Sequence, residues 1–230
     1  FTGFRRDQIP SDTYSRASIF HTSGITMALG EGVRESAIEM MRDFKEQGAL
    51  ISFDVNYRAS LWKSIGGKER AREVNREIAS YVDVMIGNEE DFTAALGIEV
   101  EGVNDAMTDL PIEGFSKMID KAVSLYPNFK AVATTLRSVK SATVNDWSAL
   151  CWYKGALHHS VERPGLEIYD RVGGGDSFMG GLIYGLLTYT DDDQKALNFA
   201  VAASCLKHTI FGDFNQVTVA EVENLMKGDG

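Results

Sequence analysis

From residue 18 onward, short apolar or β-branched runs alternate with longer stretches in which apolar residues recur every three or four positions. The first run, Ser18 to Gly24, reads as a strand. The next stretch, Glu31 to Gln47, places Val33, Ala37, Met41 and Phe44 on one face of a helix that Gly48 ends. Ala49 to Val55 is a buried strand, Asn56 to Trp62 a loop, and Lys68 to Ser80 a charged amphipathic helix. A strand at Val82 to Gly87 leads into a helix at Glu89 to Leu96. After an acidic loop at Gly97 to Gly114, a helix reaching Tyr126 precedes a strand at Phe129 to Leu136. From Trp147 to Tyr169 the pattern shortens to extended segments around Lys154-Gly155, which predicts a hairpin. Helices at Asp176 to Tyr189, Asp193 to His208 and Thr218 to Lys227 close the chain. Alternation of this kind is the sequence form of βαβ crossovers, so the fold class is α/β, with a mainly parallel sheet covered by helices.

In open sheets of this class, ligands bind beyond the carboxyl ends of the strands. Those ends carry His21 and Ser23 after the first strand, Asp54, Asn56 and Arg58 after the second, Asn88, Glu89 and Asp91 after the third, and Thr135 and Arg137 after the fourth. Singly, each has an ordinary explanation: a turn aspartate, a helix N-cap, a solvated arginine. Together they mark one shared edge as the place to look for chemistry.

Composition narrows what that chemistry acts on. A chain of 230 residues with 44% hydrophobic content supports one globular domain with a real core. Its net charge of −10 excludes a nucleic-acid footprint, and no apolar run reaches membrane-spanning length. The two cysteines, Cys151 and Cys205, lack the paired spacing of a zinc site or a secreted disulfide framework, which places the chain in a reducing cytoplasm. The four histidines form no metal-binding spacing; His208, like His21, reads as a packed or hydrogen-bonded residue. A chain that opens at Phe1 rather than methionine is expected to be a fragment of a longer protein.

One stretch demands an explanation: DRVGGGDSFMGG, Asp170 to Gly181, packs five glycines around Asp176 just where a helix begins. Glycine costs a helix about 1 kcal/mol against alanine, so this density implies a compensating use. Gly173, Gly174 and Gly175 can turn their N–H groups toward one point, and the following helix aims its positive end at the same place, which makes an anion hole. Asp176 repels a phosphate but is well placed as a base beside a transferred phosphoryl group. Gly180, Gly181 and Gly185 are expected to bring the helix close to the sheet. The plainer alternative makes Asp176 an N-cap and the glycines a tight turn. Two other phosphate motifs fail: Trp62 stands where a P-loop at Gly67-Lys68 needs its first glycine, and Phe178 stands where a dinucleotide fingerprint needs its last.

DRVGGGDSFMGGLIYGL resembles the C-terminal signature of the ribokinase-like, PfkB-type carbohydrate kinases. FHTSGITMAL, FDVNYRASLW, GNEEDF, TTLR and KHTIFGDFN are similar to the branch acting on 2-keto-3-deoxygluconate, so the resemblance covers residue 18 nearly to the C-terminus. It implies a three-layer α/β/α fold and a cytoplasmic enzyme that uses ATP and Mg2+ to phosphorylate the terminal hydroxyl of a small sugar acid. Within it, Asp176 is the catalytic base and the N–H groups of Gly173 to Gly175 stabilise the developing charge. Asn56 and Arg58 lie at the sugar, where a guanidinium suits a carboxylate. Asn88 and Asp91 organise Mg2+ through water, with Glu89 and Glu90 as alternatives to Asp91. Thr135 and Arg137 face the nucleotide phosphates, and the segment from Lys207 to Asn215, with His208 and Gly212, borders the adenine. The resemblance also implies an N-terminal part with a small β lid that mediates homo-oligomer formation, and without which the chain is expected to be weakly active or inactive. Two further readings stay open: a kinase of the same fold acting on a neutral sugar such as fructose or ribose, and a non-catalytic nucleotide- or sugar-binding remnant.

Overall fold

A computed structural model describes residues 3–98 and 112–228. They form two compact units, residues 3–98 with 112–133 and residues 134–228, with strand β4 running from one into the other.

The first unit opens with a 3-10 turn at Arg6–Gln8 and helix α1 (Ser11–Arg16), ahead of the predicted elements. Strand β1 (Ile19–Ser23), helices α2 (Gly24–Ala28) and α3 (Glu31–Glu46), and strand β2 (Leu50–Asp54) follow. Then come α4 (Ala59–Trp62), α5 (Gly67–Ala79), β3 (Val84–Ile86), α6 (Glu89–Asp91) with a π-helical turn at Phe92–Leu96, α7 (Ile112–Leu125) and β4 (Ala131–Val139). Strands β1, β2, β3 and the start of β4 pair side by side and parallel, in the registers Ile19 to Leu50, Ser52 to Val84 and Val84 to Ala131. Ile51, Phe53, Met85 and Val132 are fully buried, each contributing about 1.5–3 kcal/mol of apolar burial. The predicted face of α3 is the observed one: Val33, Ala37, Met41 and Phe44 are all buried, and Gly48 leaves the helix at φ +88°. Two short helices stand where the sequence predicts none: α2 begins at Gly24, expected as the end of the first strand, and α4 lies in the expected loop at Asn56 to Trp62. Helix α2 starts directly at the end of β1 because Gly24 has no Cβ; one there would stand 2.0 Å from the Val55 carbonyl oxygen. Helix α4 anchors the loop after β2 through Trp62, which is 1% exposed. Most of the predicted acidic loop from Gly97 to Gly114 lies outside the described residues.

The second unit continues β4 and adds β5 (Val144–Tyr153), β6 (Ala156–His159), β7 (Arg163–Glu167), α8 (Gly174–Thr188), α9 (Asp193–Lys207) and α10 (Val219–Lys227). Its strand pairing is antiparallel, with β6 and β7 both bonded to β5. The β5–β6 hairpin turns at Lys154 (φ +51°) and Gly155 (φ +84°), the left-handed pair a two-residue turn requires. Gly181 and Gly185 pack against α9 rather than against the sheet as expected: a Cβ on them would lie 2.9 Å from Ala200 Cα and 2.8 Å from Ala196 Cα. Bare backbone on α8 meets alanines on α9, so the two helices approach closely. Below this contact Phe199, Ala202, Ala203 and Val222 form a core joined by Tyr184, Tyr189 and Leu225. Cys151 on β5 and Cys205 on α9 are buried and free, and burial pushes both thiols up to about 12. Among the described residues no helix is long and apolar enough to cross a membrane.

Candidate functional site

In the second unit, the glycine-rich segment is a latch followed by an open helix start. Asp170 holds the latch: its Oδ1 accepts from Val172 N–H at 2.9 Å and its Oδ2 from Gly212 N–H at 2.8 Å. These two bonds hold its carboxyl below the usual carboxylate range. Gly173 then takes φ +77° as the residue preceding α8, and a Cβ there would sit 2.2 Å from the Asp213 carbonyl oxygen. Gly174 is buried against His208, whose Nε2 would lie 2.7 Å from an added Cβ. Gly173 and Gly174 are therefore fixed by different neighbours, while a Cβ on Gly175 would meet nothing within 4 Å.

The helix N-cap is Gly173, not Asp176, so the plain capping account of the aspartate fails. Asp176 stands in the first turn of α8, exposed and without a hydrogen-bond partner among the described residues. The Gly174 N–H leans on the Arg171 carbonyl at 3.4 Å, while the N–H groups of Gly175 and Asp176 have no helical acceptor four residues back. Asp176 also edges a cavity of about 600 Å3, whose walls include Gly180, Tyr184, Phe214, Val217 and Val219. A Cβ on Gly180 would meet nothing within 4 Å, which leaves that wall flat. Gly180 and Tyr184 stand one turn apart on α8, whereas Phe214, Val217 and Val219 are brought in by the loop after α9 and the start of α10 and were not legible in the sequence.

Four residues expected at the nucleotide, His208, Thr135, Arg137 and Gly212, are placed as follows. His208 is 3% exposed, bonded through Nδ1 to the Ser204 carbonyl at 2.7 Å and set edge-on to Trp147 at 4.9 Å. Burial lowers its pKa below the usual histidine value, and its ring props the glycine turn rather than facing a ligand. Thr135 and Arg137 lie inside β4, which runs to Val139, instead of beyond its end. Arg137 is exposed and Thr135 half-buried. Gly212 is exposed at φ +87° and serves the Asp170 latch.

In the first unit, the loop after β2 is built around a buried carboxylate. Val55 N–H donates to the Ile86 carbonyl, Asn56 turns through φ +37°, and Tyr57 N–H donates to Asp91 Oδ1 at 2.7 Å. The other oxygen, Asp91 Oδ2, accepts from Asn88 N–H at 2.9 Å, while Asn88 Oδ1 accepts from Asp91 N–H at 2.8 Å. This reciprocal pair is a capping box at the start of α6. Gly87 makes room for it, since a Cβ there would press to 3.1 Å from Asp91 Cβ. Arg58 follows as an exposed residue at the N-terminus of α4, its Nη1 donating to the Tyr57 carbonyl at 2.9 Å.

The family description "pfkB family carbohydrate kinase" matches residues 4–216. The chain belongs to that family. A 2-dehydro-3-deoxygluconokinase from Thermotoga maritima superimposes with a TM-score of 0.87 at 42% identity, covering 99% of this chain and 66% of the other. A 2-dehydro-3-deoxygalactonokinase of Haloferax volcanii is 30% identical over 229 residues, 99% of this chain and 63% of that protein. Fructokinase-2 of Solanum lycopersicum is 27% identical over 226 residues, 94% of this chain and 60% of its own length. The chain thus spans about two thirds of the relatives it matches.

For a pfkB family kinase, Mg2+ is the ion to test against the residues present. Asn88 and Asp91 do not fit it as direct ligands, a separate matter from the expected contact through water: both Asp91 oxygens hold backbone N–H groups, the residue is 5% exposed, and Asn88 Oδ1 caps α6. Among the described residues, no group of three or more His, Cys, Asp or Glu side chains is placed to hold a metal.

Proposed function

We propose that this chain carries the phosphoryl-transfer machinery of an ATP-dependent kinase that phosphorylates 2-keto-3-deoxygluconate on its terminal hydroxyl. The observation that carries the reading is Asp176: a carboxylate exposed and unpartnered in the first turn of a glycine-opened helix. Elsewhere in a protein such a group is a solvated surface charge. Here it stands beside N–H groups with no helical partner, and the two features together suit proton removal from an alcohol and stabilisation of a transferring phosphoryl group.

In this reading Asp176 accepts the hydroxyl proton as the alcohol oxygen attacks the γ-phosphorus. The Gly175 and Asp176 N–H groups, with the positive end of α8, hold the developing equatorial charge. The nucleotide arrives as its magnesium complex, and its base occupies the cavity between Gly180 and Phe214, where an aromatic ring and a bare helix backbone offer two flat walls. Arg58 pairs with the substrate carboxylate, which a neutral hexose lacks. The relatives named for 2-keto-3-deoxy sugar acids support the acid substrate over the fructose reading, and the intact glycine turn supports an enzyme over a binding remnant. An exposed residue with no hydrogen bond is replaceable without disturbing the fold. Protein expressed from the complete coding sequence is therefore assayed for ADP release with 2-keto-3-deoxygluconate, fructose and ribose, beside Asp176→Asn. Preference for the acid and loss of turnover in the variant is the expected result; turnover that survives in Asp176→Asn overturns it.

A further inference from the structure

We infer that Asp91 is a positioning residue for the substrate loop, fixing through the Tyr57 amide the backbone from which Arg58 projects, rather than a ligand for Mg2+. The inference rests on the reading of Arg58 as the group that meets the sugar-acid carboxylate.

Three observations converge on it. Both oxygens of one buried carboxylate are engaged by backbone N–H groups from two different loops, Tyr57 after β2 and Asn88 after β3. A carboxylate accepting in this way joins the loops as a bracket, and such charge-assisted bonds are about twice as strong as neutral ones. The bracket closes at the residue after Asn56, whose φ of +37° is a conformation that a non-glycine residue holds only when its surroundings enforce it. On the far side, Arg58 opens α4 and Trp62 buries the end of that helix. The loop bearing Asn56 and Arg58 is therefore pinned at both ends, and Asp91 is the pin nearest the arginine. A ligand oxygen needs a lone pair facing the ion and room for it; here the space beside the carboxylate is filled by Gly87, Tyr57 and Asn88 backbone.

Asp91→Asn keeps the shape but replaces one acceptor oxygen by an amide donor, so one of the two bracket bonds is lost. We expect KM for 2-keto-3-deoxygluconate to rise about tenfold while kcat at saturation and the Mg2+ activation constant stay within about twofold. Arg58→Met raises KM for the same substrate, and combining it with Asp91→Asn adds little, because both act on one interaction. A tenfold rise in the Mg2+ constant with unchanged sugar KM overturns the inference, as does a variant indistinguishable from the parent. If Arg58→Met alone leaves sugar-acid KM unchanged, the substrate reading fails, and the Mg2+ titration of Asp91→Asn still decides between bracket and ligand. If Asp91→Asn does not fold, the unaltered protein answers by amide NMR: slow exchange at Tyr57 and Asn88 N–H, with shifts unmoved by Mg2+, supports the bracket. Fast exchange or Mg2+-dependent shifts at those two amides overturns it.

Discussion

The two units use the same two devices to order their loops, carboxylate brackets and glycine fits, but weight them differently at the sites proposed. In the first, buried carboxylates do the work: Asp83, just before β3, accepts from Ile51 N–H at 2.9 Å and pairs with Lys45 and Lys130, and Asp91, just after it, brackets Tyr57 and Asn88. In the second, the half-buried Asp170 carboxylate ties Val172 to Gly212, but backbone shape sets the turn beside it: Gly173 and Gly174 fit against Asp213 and His208, and Gly181 and Gly185 against α9, with no room for a side chain. A carboxylate bracket tolerates many neighbours and fails when its charge is changed. A glycine fit is indifferent to charge and fails when an atom is added. The difference suits the roles proposed, since a loop that recognises a substrate carboxylate needs a fixed cation, and a turn that approaches phosphate needs bare backbone.

The largest expected effect separates chemistry from architecture. Asp176→Asn should lower kcat by about a thousandfold or more, the scale of a lost general base, while the melting temperature stays unchanged because the side chain holds nothing in place. Steady-state kinetics beside a thermal melt reads both at once. Next comes the backbone fit: Gly173→Ala combines a φ of +77° with a 2.2 Å approach to Asp213, and should destabilise the protein by about 2–4 kcal/mol and abolish nucleotide binding in calorimetry. Gly175→Ala meets nothing and should fold normally, so equal damage at both positions breaks the shape argument.

On the side of the charges, Arg58→Met should raise KM for the sugar acid by about tenfold or more and leave KM for fructose unchanged, measured on one preparation with both substrates. The smallest effect concerns the Asp170 latch. Its folded pKa is depressed by the Val172 and Gly212 N–H bonds, so the stabilisation is present above the unfolded aspartate value of about 3.9 and is lost as pH falls through the lower folded value. Protection of the Val172 and Gly212 amides, taken relative to their intrinsic exchange rates, should fall only below about pH 4, and Asp170→Asn should remove that dependence.

Much of this was legible in the sequence, and the limits have physical causes. The helical face of Val33, Ala37, Met41 and Phe44 was legible because burial along a long helix repeats at a fixed period. The glycine turn was legible because nothing else justifies its cost. Helices α2 and α4 were not, since four or five residues carry too little periodicity, and their cause is long-range: the Val55 carbonyl near Gly24, the burial of Trp62. Asn88 and Asp91 show the capping spacing, so the box itself could have been read; the Tyr57 bond, 34 residues away, could not. The cavity beside Asp176 was hidden for the same reason, because Phe214, Val217 and Val219 join it only through the fold.

The two cysteines give the second unit a built-in reporter. Cys151 and Cys205 both lie there, and a thiol buried and pushed up to about 12 is almost entirely unreactive at neutral pH. An alkylating dye therefore labels the protein only when β5 or α9 opens to solvent, and the labelling rate becomes a clock for the breathing of that unit alone. Ligands that slow the clock bind to or stiffen the glycine-turn side; ligands that act on the Asp91 side leave it running unless the whole chain unfolds.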